Sequence, residues 1–382
     1  MPQPPNTTVL QVLPSLHAGG VERGTADIAA ALVAAGWRSI VASAGGPMVR
    51  EVERAGATHI TLPVDSKNPL VMRGNIRRLA AVIRAHEVDI VHARSRAPAW
   101  SAQAAAHATG AHFVTTFHGT YNAQNRFKRK YNAIMARGER VIAISEFIRD
   151  IAVNEYGAIP DHVRVIHRGV DMATFDPMSV TPARIVQLAH AWKVPDGIPI
   201  VMLPGRLTRW KGQTVLIEAL AKLGRRDLWC VLVGADQGRE AYRRELIQRA
   251  TRAGLGDTVR IVGHCNDMPA AYMMADVVVS ASTDPEAFGR VAAEAQAMGR
   301  PVIATDHGGS RHTVIDGETG WLVQPGDADA LAQALARALN LSRPERERLA
   351  ERAVAHVRAN FTKAAMCAAT LAVYREVLGG AR

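Results

Sequence analysis

The chain has 382 residues, of which 48% are hydrophobic, 21% charged and only 5% aromatic, and its formal net charge is +11. This length is too great for one ordinary core and points to two domains, and the composition excludes a disordered or fibrous chain apart from Met1–Asn6. The positive excess runs along the whole chain rather than sitting in a tail, so it fits either an anionic partner or ordinary solvated helix faces.

Val9–Leu13 reads as a buried strand, and the loop His17-Ala18-Gly19-Gly20 leads from it into a helix over Thr25–Ala35. Gly36 stands where a left-handed cap belongs. Short apolar runs at Ser39–Ala42, Asp89–His92, His112–Thr116, Val141–Ile144 and Val163–Ile166 read as further strands. Strands alternating with helices imply parallel β–α–β units in a doubly wound sheet.

Residues 176–199 contain four prolines and a helical piece over Ile185–Trp192, which makes them the linker candidate. A second series follows, with strands at Ile200–Leu203, Leu228–Val233, Val259–Val262, Val277–Ser280 and Pro301–Ala304 and a helix over Thr214–Lys222. Residues 344–378 are helical in pattern, and Trp192 and Tyr374 read as core. The expected domains are therefore residues 1–180 and 195–355, with a helical tail over 356–382. Two such domains create a cleft, and ligands bind at the carboxyl ends of their strands.

Cys230, Cys265 and Cys367 lie far apart without metal-ligand spacing and read as buried small hydrophobes in a reducing compartment. The N-terminus has no basic stretch followed by an apolar one, and no apolar run approaches the roughly 18 residues of a membrane span. The expectation is a cytoplasmic protein able to lie against a membrane.

Pro204-Gly205-Arg206-Leu207-Thr208-Arg209-Trp210-Lys211-Gly212 follows a strand and precedes a helix. A guanidinium at Arg206 and an ammonium at Lys211 complement a diphosphate without a metal. Glu286 stands at the start of a helix read over Val291–Met298, and Glu294 lies about two turns into it, so both carboxylates can accept from sugar hydroxyls. The amides of Phe288, Gly289 and Arg290 open that helix, where unpaired donors and the dipole attract phosphate.

These two segments resemble the retaining glycosyltransferases of family 4. The match comprises Gly-Arg-Leu-x-x-x-Lys-Gly at 205–212 and Glu-x-Phe-Gly-x-x-x-x-Glu at 286–294. It continues through Gly299-Arg300-Pro301-Val302-Ile303-Ala304, Gly308-Gly309 and Asp316-Gly317-x-x-Gly320, in order over roughly residues 200–330. The resemblance implies a GT-B fold, in which two doubly wound Rossmann-like domains enclose an interdomain cleft and a C-terminal helix crosses back to the first. It implies that Arg206 and Lys211 hold the donor diphosphate, Glu286 the donor sugar and Glu294 the ribose. It further implies that the backbone at Val262-Gly263-His264 cradles the base, that Gly205 belongs to the diphosphate loop, and that Phe288, Gly289 and Arg290 shape the donor pocket. Ala287 departs from the family, where glycine is commoner, and its methyl would narrow donor choice.

In the first half, Gly19 and Gly20 are similar to the family's glycine loop beside donor phosphates and acceptor, and His118 to the histidine near the donor sugar. The resemblance implies retention of configuration; neither carboxylate reads as a nucleophile, which favours front-face substitution with electrostatic stabilisation. No essential metal and no cofactor beyond the donor substrate are expected.

Arg126, Lys128, Arg129 and Lys130 surround Phe127, with Arg137 and Arg140 continuing on a helical pattern, and Arg73, Arg77, Arg78 and Arg84 form a second basic face. Both fit either lipid headgroups and a phosphorylated acceptor or a solvated helix surface. A further likeness to enzymes that build lipopolysaccharide and other surface glycans implies a lipid-linked glycan acceptor at the inner membrane face.

Among other classes, a dehydrogenase would require Gly-x-Gly-x-x-Gly after a strand, which the first loop lacks. A sugar-nucleotide epimerase would bind the same donor without an acceptor. A nucleic-acid-binding protein would explain the charge but not carboxylates set among phosphate donors, so no nucleic-acid partner is expected.

Overall fold

The structure is a computed structural model that describes residues 7–17, 19–121 and 125–379. The expectation of disorder over Met1–Asn6 lies outside the described residues. The chain forms two compact units, one comprising residues up to Arg168 together with those from Lys363, the other Gly169–Thr362.

Seven strands build the first unit: β1 (Thr8–Val12), β2 (Arg38–Ser43), β3 (Thr58–Thr61), β4 (Ile90–Ala93), β5 (His112–Phe117), β6 (Arg140–Ala143) and β7 (Val163–Val165). They pair in parallel in the order β3-β2-β1-β4-β5-β6-β7, with Leu10 opposite Ile40 on one side and Val91 on the other. Chain order reverses between β1 and β4, which makes that crevice the switch point of the sheet. β1 and β4 are buried throughout, as expected of central parallel strands covered on both faces.

The second unit repeats the plan with β8 (Ile200–Pro204), β9 (Trp229–Val233), β10 (Val259–Val262), β11 (Val277–Ser280), β12 (Val302–Thr305) and β13 (Trp321–Val323). Their order is β10-β9-β8-β11-β12-β13, all parallel, with the switch point between β8 and β11.

The structure corrects or refines four readings of the sequence. Residues 176–199, read as the linker candidate, are part of the second unit: the helix Pro182–Trp192 is tied into it by Arg184, which pairs with Asp267 at 2.6 Å, and just before it the Phe175 ring lies tilted at 6.1 Å from that of Tyr272. Residues 344–378 form two helices, Arg343–Asn360 and Lys363–Gly379. The break comes where Thr362 bridges Val170 and the Phe361 carbonyl accepts from the Val170 amide at 2.8 Å, pulling the backbone out of helical geometry. Cys265 is half-buried, whereas Cys230 and Cys367 are core residues. Tyr374 is fully buried, while Trp192 is half-exposed.

The helix Lys363–Gly379 completes the first unit's core, packing Met366, Leu371, Val373, Tyr374 and Val377 among Val9, Ile28, Leu32 and Trp37. Tyr374 OH lies 2.6 Å from His92 Nδ1, and the other ring nitrogen lies 2.7 Å from Thr116 Oγ1, so both nitrogens of this buried imidazole are matched to hydroxyls. Burial, then the charge of Arg94, drives its pKa well below the ordinary histidine value. Above about pH 6.5 both folded and unfolded states hold it neutral; below, only the unfolded chain takes the proton, so stability falls with pH. Between pH 7.5 and 5.0, urea unfolding should show a progressive loss of stability as pH is lowered, of at most about 2 kcal/mol for each such imidazole. A flat profile would contradict a neutral buried His92.

Among the described residues no helix is long and apolar enough to cross a membrane.

Candidate active site

In the second unit the switch point gathers most of the residues singled out from sequence. The segment after β8 ends on Gly212, whose φ of 71° is left-handed and where any side chain would collide with the Ala281 carbonyl beyond β11. That close approach, reinforced by the Thr283 amide donating to the Trp210 carbonyl at 2.7 Å, lays the loop from β8 against the loop from β11. Lys211 Nζ consequently meets Glu286 Oε1 at 2.5 Å, with Ser282 Oγ donating to the same oxygen at 2.5 Å. Both charged side chains are only 14% exposed, and the ammonium sits 4.3 Å from the Trp210 ring centroid.

Arg206 is placed differently. Its side chain is exposed with no partner among the described residues, while its carbonyl accepts from Gln213 Nε2 at 2.9 Å. Lys211 is therefore neutralised locally, whereas the guanidinium of Arg206 is a cation without a partner among the described residues. Gly205 is stacked closely under Gly234, where an added side chain would strike the Gly205 carbonyl.

Glu294 is 7% exposed and already bonded: Oε1 accepts from Arg290 Nε at 2.6 Å and Oε2 from Tyr272 OH at 3.0 Å. Burial and then the Glu294 carboxylate push the Tyr272 phenol well above its usual pKa, so it remains a donor. As read from the sequence, Glu286 lies before the helix that carries Glu294; that helix runs Arg290–Ala297, and the left-handed Gly289 with φ 91° stands between them. Gly308 and Gly309 hold that loop. The Gly309 amide donates to the Glu286 carbonyl at 2.7 Å, and a side chain at Gly309 would come within 2.7 Å of the Phe288 amide nitrogen. Phe288 is buried, edge-on to Phe361 at 5.4 Å. Val262 ends β10 and accepts from the Gly234 amide at 3.1 Å; Gly263 and His264 are exposed beyond it.

In the first unit, Gly19 and Gly20 open the helix Gly20–Ala34 after β1, and His118 follows β5. Ala18 lies outside the described residues. Arg168 Nη2 donates to His118 Nδ1 at 2.8 Å. Since a guanidinium only donates, the His118 proton resides on Nε2, which is buried without a partner among the described residues. Burial first, then Arg168, Arg94 and His92, hold its pKa well below the ordinary value, so it is neutral at pH 7.

Arg126, Lys128, Arg129 and Lys130 are exposed on the short helix Arg126–Asn132, which is capped by Asn125, with Phe127 87% exposed among them. Arg129 Nε also donates to the Glu155 carbonyl at 2.7 Å. Arg137 and Arg140 do not continue this helix: Arg140 opens β6 and pairs with Glu376 at 2.8 Å. Ser282, Tyr272 and Arg168 were not legible as site residues. Ser282 and Arg168 each stand a few positions beyond a strand, the one signal that could have flagged them.

Comparison with known proteins follows the same division. Residues 18–174 match the model for Glycosyltransferase Family 4, and residues 188–356 that for Glycosyl transferases group 1. A glycosyltransferase from Rickettsia africae is 39% identical, with TM-score 0.92, covering 98% of this chain and 100% of that one. The Anabaena HepE protein, solved in complex with UDP and glucose, is 25% identical with TM-score 0.84, covering 97% of this chain and 100% of that one. The D-inositol 3-phosphate glycosyltransferase of Corynebacterium diphtheriae is 35% identical over 228 residues, 58% of this chain and 52% of that protein. The chain spans about half the length of the curated relatives it matches. Two Rossmann-like units, both family models in chain order and a relative matched along its whole length place this chain in the GT-B glycosyltransferases of family 4 and group 1.

Proposed function

We propose that this protein is a retaining, metal-independent glycosyltransferase that moves a sugar from a nucleotide diphosphate sugar to a lipid-linked or lipopolysaccharide-type glycan at the inner face of the plasma membrane. The observation that carries the donor reading is the exposed Arg206 in the same loop after β8 that carries Lys211, paired with Glu286, at the switch point of the second unit. Arg206 and Lys211 supply charge where a diphosphate leaves, and Glu286 keeps acceptor capacity for sugar hydroxyls. The UDP bound by the HepE protein supports a uridine donor.

In the chemistry we favour, the bond from the anomeric carbon to the leaving phosphate breaks as the bond to the acceptor oxygen forms on the same face. The acceptor proton passes to the departing phosphate. The neutral His118, with its proton on Nε2, serves as a hydrogen-bond donor to the sugar rather than as a base. The basic helix that exposes Phe127 supports docking on an anionic bilayer. A phosphorylated small acceptor is the second reading, favoured by the name of the curated relatives.

A thermal-shift screen of nucleoside diphosphates and their sugars with EDTA present tests the donor half; stabilisation by UDP is expected. Product NMR then reports the anomeric configuration and separates transfer from epimerisation. Absence of any nucleotide response from folded protein would remove the transferase reading.

A further inference from the structure

The carboxyl edge of the first sheet holds a group of charges that the donor chemistry does not use. Arg94 follows β4 directly, and the loop from β1 enters the helix Gly20–Ala34, so both stand at the switch point of that sheet. Arg94 is 3% exposed, its Nε is buried without a partner, and its guanidinium has no hydrogen bond or ion pair among the described residues. Burial draws its pKa down; Tyr374, Asp27 and Cys367 partly offset this through their charge. A buried cation without a direct partner weakens a fold, and such groups persist where a ligand completes them.

A second guanidinium is gathered at the same point. At Gly24, in the second turn of the helix, an added side chain would collide with Arg168 Nη1 and lie 3.0 Å from Arg94 Nη2. Gly24 is buried, so the missing side chain is what lets both arginines reach this spot. His118, bonded to Arg168, is neutral, and Glu22 and Asp27 are the carboxylates of the same helix in the neighbourhood, Glu22 folded toward Gly19. The helix N-terminus adds its dipole with the sign that favours an anion.

We propose that Arg94 and Arg168, converging beside Gly24, form an oxyanion site in the first unit that takes a phosphate group of the acceptor. Two forked donors match the several oxygens of a phosphate better than the two of a carboxylate. As an oxyanion site it stands by itself; as an acceptor site it rests on the transferase reading.

The test uses full-length protein carrying Arg206→Ala, which silences the proposed donor site, with inorganic phosphate as probe. Phosphate should raise the melting temperature of this background by at least about 2 °C. Arg94→Met should abolish that response while melting, without phosphate, at or above the temperature of its parent, because it removes an unpaired buried charge. Gly24→Ala, which displaces Arg168, should also lose the response. A phosphate response that survives Arg94→Met, or no response in the background together with a lower melting temperature for Arg94→Met, overturns the site.

UDP distinguishes the sources on protein with Arg206 intact. A UDP response retained in Arg94→Met assigns the phosphate to the acceptor, and one lost there overturns the acceptor assignment in favour of the donor diphosphate. Failure of wild type to respond to UDP sinks the transferase reading alone, since the phosphate result is read separately.

Discussion

Arg206→Ala is expected to reduce turnover by about 10²–10³-fold while leaving the melting temperature unchanged. Its guanidinium is exposed with no side-chain partner among the described residues, so the folded protein loses no bond when it is removed. Lys211→Met should cost comparable activity but also stability. It strands Glu286, which is only 14% exposed, with Ser282 as its remaining donor. Removing one member of a largely buried ion pair costs about 3 kcal/mol at the lower end of the usual range, and the surviving Ser282 bond argues for that end. The two variants together separate a ligand-binding cation from one that also holds the site in shape. Kinetics with the donor found by nucleotide screening, alongside melting curves, check both. Equal destabilisation by the two would contradict the arrangement, as would full activity of Arg206→Ala.

The second large effect concerns the end of the chain. Truncation after Thr362 should prevent the first unit from folding. The lost helix buries Met366, Leu371, Val373, Tyr374 and Val377 in that unit's core. At about 1.5–3 kcal/mol per large side chain, the loss rivals the whole stability of a typical domain, even allowing that such sums are upper estimates. His92 would also lose the Tyr374 hydroxyl, leaving a buried ring nitrogen unmatched. Insoluble protein, or loss of one cooperative unfolding transition, is the expected result. Tyr374→Phe isolates the hydrogen bond and should lower stability by about 1 kcal/mol without preventing folding. A truncated chain that melts like the full-length protein would show that the helix contributes nothing to this core.

Much of this organisation can be read locally. β1, β4, β8 and β11 are covered on both faces, so they appear as short continuous apolar runs, and their order with intervening helices already implies two parallel sheets. β3 (Thr58–Thr61) escapes that signal because it is an edge strand without a fully buried residue, and β13 (Trp321–Val323) because it is only three residues long. The helix Gly20–Ala34 begins earlier than its apolar periodicity, since its first turn is built from Gly-Val-Glu-Arg rather than from core residues. Gly36, by contrast, is legible as a cap and has φ 78°.

Residue identity and position along strands and helices made Arg206, Lys211, Glu286 and Glu294 candidates, and the resemblance to family 4 added His118. Their partners were decided only in three dimensions. Lys211 and Glu286 are 75 positions apart, and His92 and Tyr374 are 282 apart. Nothing in either local pattern says which strand will lie beside which. The crossovers that put β11 next to β8, and the Gly212 contact that closes the gap, determine that Lys211 is neutralised while Arg206 is not. Burial of apolar runs is a short-range, periodic property that a sequence carries openly. Ion pairing depends on distance through space, which only the completed sheet order supplies.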